Sequence, residues 1–162
     1  MSRLDSFIRR VMAQRACLDA AARLIENVAG PVLELGLGNG RTYDHLRERL
    51  PGREIFVFDR RVAAHPECVP DAAHLVLGDV RETLPSALAR IGKPAALVHC
   101  DVGTGVQGDN VALGRFLGPA LAPLMAKGGI VVSDQSLDVP GWTALALPPE
   151  VRAERYFMYR AG

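Results

Sequence analysis

The sequence lacks several features that would each have settled its class. It has three cysteines, Cys17, Cys68 and Cys100, an odd number and widely spaced. With no Cys-x-x-Cys pair, neither a zinc site nor a disulfide framework is indicated. His65 and His74 have no companion at metal-ligand spacing. Formal net charge is only +1 over 162 residues, so no global field draws in nucleic acid or an anionic membrane. Basic runs stop at pairs, Arg9-Arg10 and Arg60-Arg61, and read as solvated faces. No apolar stretch is long enough to span a bilayer, and the N-terminus is amphipathic rather than continuously apolar. These absences predict a reduced, cytoplasmic protein with no nucleic-acid or membrane partner.

What remains is an ordinary globular composition, 49% hydrophobic and 23% charged. The length suits one domain, 1–162, with residues 1–30 as a helical N-terminal cap. Leu4, Phe7, Ile8, Val11, Met12, Leu18, Ala21, Ala22, Ile25 and Val28 recur at helical spacing. Ser2 or Asp5 can cap this run, a break near Gln14 to Cys17 would make it two helices, and Gly30-Pro31 stops it.

The organising stretch is Val32 to Tyr43, which reads as a buried strand, a glycine turn and a helix start. Gly36, Gly38 and Gly40 let the backbone turn sharply and approach a ligand. Free N–H groups at the following helix N-terminus suit a polar or anionic ligand group. A dinucleotide-binding turn would need glycine at position 41, which is Arg41. A nicotinamide oxidoreductase is disfavoured on that spacing and on the lack of room for a catalytic domain.

Further strands follow with polar ends. Glu54 to Phe58 closes on Asp59; His74 to Leu77 on Gly78-Asp79; Ala95 to Cys100 on Asp101; Ile130 to Ser133 on Asp134-Gln135. Asp59 can accept two hydrogen bonds from a ribose diol, or cap a helix. Helices are expected from about Arg41 to Leu50, Thr83 to Ile91, and Asp109 or Asn110 to about Lys127, the last kinked by Pro119 and Pro123 and ended by Gly128-Gly129. Thr143 to Leu147 and Arg155 to Tyr159 read as an antiparallel hairpin. The whole is a doubly wound, mostly parallel α/β sheet whose strand-end acids line one crevice.

Glu34-x-Gly36-x-Gly38-x-Gly40, followed by Asp59 and Gly78-Asp79 at successive strand ends, resembles the class I S-adenosylmethionine-dependent methyltransferases. The resemblance implies a Rossmann-like sheet of order 3-2-1-4-5-7-6, although the usual crossover helix after strand five has no room here. It implies S-adenosyl-L-methionine as cofactor, held by Glu34, Gly36, Gly38, Asn39, Gly40, Thr42, Asp59, Arg60, Gly78, Asp79, Val80 and Asp101. In that family the glycine loop cradles the amino-acid moiety and the Gly-Asp pair meets the adenine.

No Asn- or Asp-Pro-Pro-aromatic segment follows strand four, and no Pro-Cys pair occurs. Both absences argue against nucleic-acid base methylation. The expected reaction is methyl transfer to a small-molecule acceptor, at oxygen. The sulfonium carries its own leaving group, so the enzyme mainly aligns the nucleophile. Asp101 is the candidate base, and His99 on the same strand face is a packed, hydrogen-bonded residue. A non-catalytic module binding S-adenosylmethionine or S-adenosylhomocysteine, or a partner subunit, is the alternative.

Asp101, Asp134 and Gln135 are similar to the Asp…Asp-Asn magnesium site of the catechol O-methyltransferase group, with glutamine in place of asparagine. The other assignment has Asp134 capping a turn, Gln135 in water and Asp101 on the cofactor's amino group. Phe157 and Tyr159 at a sheet edge, with Phe116 and Leu117, suggest a homodimer; the rival is a monomer whose N-terminal helix covers them.

Overall fold

A computed structural model describes residues 2–162. Its order is α1 (Arg3–Leu24), β1 (Val32–Leu35), α2 (Arg41–Arg49), β2 (Ile55–Asp59), β3 (Leu75–Leu77), α3 (Val80–Thr83), α4 (Ala87–Ile91), β4 (Ala95–Cys100), α5 (Gln107–Leu121), β5 (Met125–Ser133), β6 (Thr143–Ala144) and β7 (Phe157–Arg160). The seven strands run β3-β2-β1-β4-β5-β7-β6, the expected order. β1 to β5 are parallel, and β7 runs antiparallel to β5 and β6. The crossover helix after β5 is indeed absent, and residues 134–142 make the connection with no helix. The order survives because β7 still returns between β5 and β6.

β1 and β4 are buried along their whole length, as central parallel strands covered on both faces must be. One face packs Leu33, Leu35, Val98, Cys100 and Val131 against α5 residues Leu113, Leu117 and Leu121. The other packs Val32, Val57, Leu97, Ile130 and Val132 against Cys17, Leu18 and Ala21 of α1. Alternation along the strands therefore sends Glu34, His99, Asp101 and Asp134 toward the α1 face.

Several boundaries differ from the sequence expectation. α5 starts at Gln107 after Val106, so neither Asp109 nor Asn110 caps it, and the hairpin strands shrink to Thr143–Ala144 and Phe157–Arg160. α1 is one unbroken helix of 22 residues; Ala13 and Ala16 favour helix, and Gln14 turns its amide inward to Asp101. Ser2 and Asp5 both cap it, as a reciprocal capping box. Gly128 and Gly129 do not end a helix but lie inside β5, which starts at Met125. The pairing of β4 with β5 shifts register there, and a Cβ on Gly129 would sit 2.9 Å from the Ala126 carbonyl. The glycines thus mark a bulge. Finally, the stretch expected as one helix from Thr83 is α3, a 3₁₀ turn Leu84–Ser86 and α4, because Pro85 interrupts the hydrogen-bond ladder.

The apolar pieces that suggested association are largely internal. β7 lies between β5 and β6 and is no sheet edge. Leu117 is fully buried, Tyr159 is buried, and the Tyr159 hydroxyl accepts from the Leu137 N–H at 2.9 Å.

The C-terminal end of α1 is tied to the sheet by one side chain. The Arg53 guanidinium donates to the carbonyls of Ile25 at 2.8 Å, Val28 at 2.8 Å and Gly30 at 2.9 Å. These satisfy carbonyls that a helix end leaves open. Arg53→Ala should lower unfolding free energy by roughly 1.5–3 kcal/mol, read from urea midpoints at constant m. A variant as stable as wild type would show that the tie contributes nothing.

Candidate active site

The glycine turn leaves β1 at its carboxyl end. Gly36 approaches β4 so closely that a Cβ there would lie 2.5 Å from the Asp101 carbonyl oxygen, and its φ is +94. Gly38, at φ +53, faces open space: a Cβ at that position would meet nothing within 4 Å. The first glycine therefore serves the fold, and the second faces whatever enters the cleft. Asn39 is exposed on the turn, and Gly40 is the N-cap of α2 in a left-handed conformation.

Below the turn lies a buried polar chain. Glu34 is fully buried; its Oε1 accepts from the Thr42 hydroxyl, and its Oε2 meets His99 Nδ1 at 2.8 Å. Burial pulls the His99 imidazole down, but the Glu34 charge and hydrogen bond outweigh it and raise its pKa above the ordinary value. His99 also stacks on Tyr156, ring centroids 6.1 Å apart. Burial pushes the Tyr156 phenol upward, so it stays neutral.

Asp59 reaches back to the turn. Its Oδ2 accepts from the N–H groups of Leu37 at 2.7 Å and Gly38 at 3.2 Å, and its Oδ1 from Arg61 N–H at 3.2 Å. Arg60 pairs with Asp79 across the ends of β2 and β3. Asp79 also caps α3 through the Arg81 N–H at 2.9 Å, and that bond, then Arg60, holds its carboxyl below the ordinary value. Around these groups is a cleft of about 570 Å³. Gly36, Gly38, Asp59, Arg60, Gly78 and Asp101 supply its polar edge, and Phe58, Val80, Val102 and Leu113 its apolar wall. Gly36, Gly38, Asp59, Arg60, Gly78, Val80 and Asp101 of the expected cofactor residues line this cleft; Glu34, Asn39, Gly40, Thr42 and Asp79 do not.

Asp101 and Asp134 sit on adjacent strands, one residue beyond the Cys100–Ser133 pair. Asp101 Oδ2 accepts from Gln14 Nε2 at 2.6 Å, and Arg10 stands 4.0 Å away. Asp134 Oδ2 accepts from the Gly103 N–H at 2.9 Å, while its Oδ1 is buried with no partner among the described residues. Burial raises the Asp134 carboxyl above the usual range and the Asp101 charge adds to this; Gln135 and Gly103 oppose it. Beside them a second cavity of about 590 Å³ runs between α5 and the stretch after β5, lined by Asn110, Arg115, Asp134, Gln135, Asp138 and Phe157 among others.

Sequence reasoning missed Gln14, Arg10 and Tyr156. Gln14 carried a signal, a polar residue on the buried face of α1; Tyr156 carried none.

A mostly parallel sheet with this strand order, a glycine turn after β1 and acids at the next strand ends defines a Rossmann-like methyltransferase. The chain belongs to the S-adenosyl-L-methionine methyltransferase family, whose profile matches residues 1–161. A solved S-adenosyl-L-methionine methyltransferase from Silicibacter pomeroyi DSS-3 is 49% identical, covering 100% of this chain and 99% of that one, with a TM-score of 0.93. More distant structures share the fold. A protein described as a caffeoyl-CoA O-methyltransferase from Staphylococcus aureus is 14% identical, with 90% and 82% coverage and a TM-score of 0.61. The sugar N-methyltransferase KedS8 from Streptoalloteichus sp ATCC 53650 is 21% identical, with 90% and 61% coverage and a TM-score of 0.54. No curated protein matches the sequence. The chain is an S-adenosylmethionine-dependent methyltransferase. No helix among the described residues is long and apolar enough to cross a membrane.

The Glu34–His99 pair makes stability depend on pH. The folded His99 pKa lies above its unfolded value near 6.5, so the pair's full contribution is present below that pH and is lost as pH rises through the folded pKa. The stability advantage of wild type over His99→Gln should therefore shrink as pH is raised above about 6.5. Urea titrations across that range give the difference; an advantage that grows with pH would contradict a protonated imidazole.

Proposed function

We propose that the 570 Å³ cleft holds S-adenosylmethionine along the carboxyl ends of β1 to β4 and that the neighbouring cavity admits a small-molecule acceptor. The observation that carries this is the convergence of the open Gly38, the Asp59 carboxylate and the apolar wall of Val80 and Leu113 on one cleft. Asp59 accepts from the turn's amides yet keeps lone pairs for a ribose diol. Gly78, Asp79 and Val80 border the adenine end, with Arg60 holding Asp79 in place. Asp101, kept at the mouth by Gln14, would hold the cofactor's amino group.

The magnesium expectation at Asp101, Asp134 and Gln135 fits poorly. Magnesium needs oxygen lone pairs converging at about 2.0–2.1 Å. Here Gly103 N–H already donates to Asp134 Oδ2 and Gln14 to Asp101 Oδ2, and Asp134 Oδ1 is the buried carboxylate oxygen left without a partner among the described residues, which is short of a magnesium ligand set. The transfer is therefore derived without magnesium. The acceptor's electron pair attacks the methyl, the C–S bond breaks toward sulfur, and the acceptor proton passes to a carboxylate. Asp134, raised by burial, suits that role better than the more solvated Asp101. A carboxylate base matches an acidic hydroxyl such as a phenol, pKa about 10, better than an alkyl hydroxyl near that of water, about 15.7. Oxygen of phenolic acidity is the acceptor this supports.

Two variants test the cofactor placement by calorimetry with S-adenosylhomocysteine. Asp59→Asn keeps an acceptor for the turn's amides but loses the charge, and should weaken binding by roughly 1.5–3 kcal/mol. Gly38→Val should fold at a cost of about 1–2 kcal/mol for the left-handed backbone yet lose most of its affinity, because its side chain points into the cleft. Wild-type affinity in both folded variants would remove the cofactor from this cleft.

A further inference from the structure

A third cavity, of about 230 Å³, opens on the α1 side of the glycine turn. It shares Gly36, Gly38 and Asp101 with the 570 Å³ cleft, so it continues that cleft past Gly38. With the cavity beside Asp134 it shares no lining residue. Its walls bring Arg10 and Gln14 of α1 to face Asn39, Arg41 and Thr42 beyond the turn. The charges are unequal, two guanidiniums against the single carboxylate of Asp101. Both guanidiniums gather on Phe7, their carbons 5.9 and 5.5 Å from its ring centroid. Arg10 stands 4.0 Å from Asp101 Oδ2, beyond hydrogen-bond reach. Arg41 makes no ion pair among the described residues. Both therefore keep donors for a ligand. Gln14 donates to one oxygen of Asp101 at 2.6 Å, which leaves the other oxygen for a further donor.

We propose that Arg10 and Arg41 hold the α-carboxylate of S-adenosylmethionine, which makes the first turns of α1 the element that tells the whole cofactor from its nucleoside. The inference rests on the cofactor lying in the cleft. With the nucleoside against the apolar wall of Val80 and Leu113, the amino-acid end is the part left to pass Gly38. That end is a zwitterion. Its ammonium suits Asp101, and its carboxylate needs cations, which Arg10 and Arg41 supply in this lining. The planar fork of a guanidinium matches a carboxylate with two parallel hydrogen bonds. An anionic group of the acceptor would reach these arginines only by crossing the cofactor's own tail, since the cavity beside Asp134 has no wall in common with theirs. The two arginines come from α1 and α2, on either side of the turn. A carboxylate between them would join the helices over the bound ligand.

Calorimetry on the full chain with S-adenosylmethionine and with its decarboxylated analogue tests this. The analogue keeps the amine and the sulfonium and lacks only the carboxylate. Wild type should bind S-adenosylmethionine roughly tenfold or more tighter than the analogue. The ratio should fall as salt is raised, because exposed charges are screened. Arg10→Gln combined with Arg41→Gln changes two exposed positions and leaves the core untouched. It should bring the ratio close to one by weakening S-adenosylmethionine. The analogue should bind as well as before or better, since its cations no longer face two guanidiniums, and its binding also shows that the variant is folded. A wild type that does not separate the two ligands overturns the proposal. So does a double variant that keeps the wild-type ratio or that loses both ligands alike. Asp59→Asn separates this failure from that of the cofactor placement. Equal weakening of both ligands by Asp59→Asn, with an unchanged ratio in the arginine variant, would overturn the arginine assignment alone; no effect of Asp59→Asn on either ligand would overturn the placement and the assignment with it.

Discussion

The Glu34 carboxylate is the joint on which the site depends. It is fully buried at the centre of the sheet, and its two oxygens bind two different elements, Thr42 at the start of α2 and His99 on β4. A carboxylate so placed is costly unless fully partnered, and removing one partner of such a pair typically costs about 3–5 kcal/mol. The arrangement fixes where α2 begins relative to β1 and β4. That sets the path of the glycine turn between them, and the turn in turn offers its amides to Asp59. An acid two residues before the first glycine is thus a structural anchor.

Above that joint the site divides by charge and by wall. The side toward β2 and β3 combines carboxylates with an apolar wall, as a nucleoside requires. The side toward α1 places Arg10, Gln14 and Asp101 together, so α1 is part of the site's lip as well as a cover for the sheet. Past Asp101 lies Asp134, whose burial and neighbouring charge favour the protonated form. Family membership supplies the reaction, S-adenosylmethionine-dependent methylation. The acceptor preference rests on these side chains, and a fold shared with distant O- and N-methylating structures adds nothing to it.

Much of this was legible in the sequence, for physical reasons that differ by element. Buried parallel strands are continuous apolar runs, so β1 and β4 were plain, and polar residues at their ends marked the crevice. His99, inside an apolar strand run, read as a packed, hydrogen-bonded residue, and it is one. Contacts between distant residues were not legible: nothing local says that Glu34 pairs with His99 or that Gln14 reaches Asp101. The glycines at 128 and 129 misled because the same residue serves a helix stop and a bulge, and only strand pairing distinguishes them. The apolar residues of β7 misled because an edge strand and its neighbour carry similar patterns. The two-residue β6 is short enough to hide which was which.

The central claim is the place of the cofactor, and amide shifts in a 15N-labelled chain titrated with S-adenosylhomocysteine address it directly. The account predicts that the largest changes fall on Leu37 to Gly40, Asp59 to Arg61, Gly78 to Val80 and Asp101 to Gly103. Saturable binding whose changes spare those four segments and fall instead at the opposite ends of the strands, around Glu26 to Gly30 and Lys93, would contradict it.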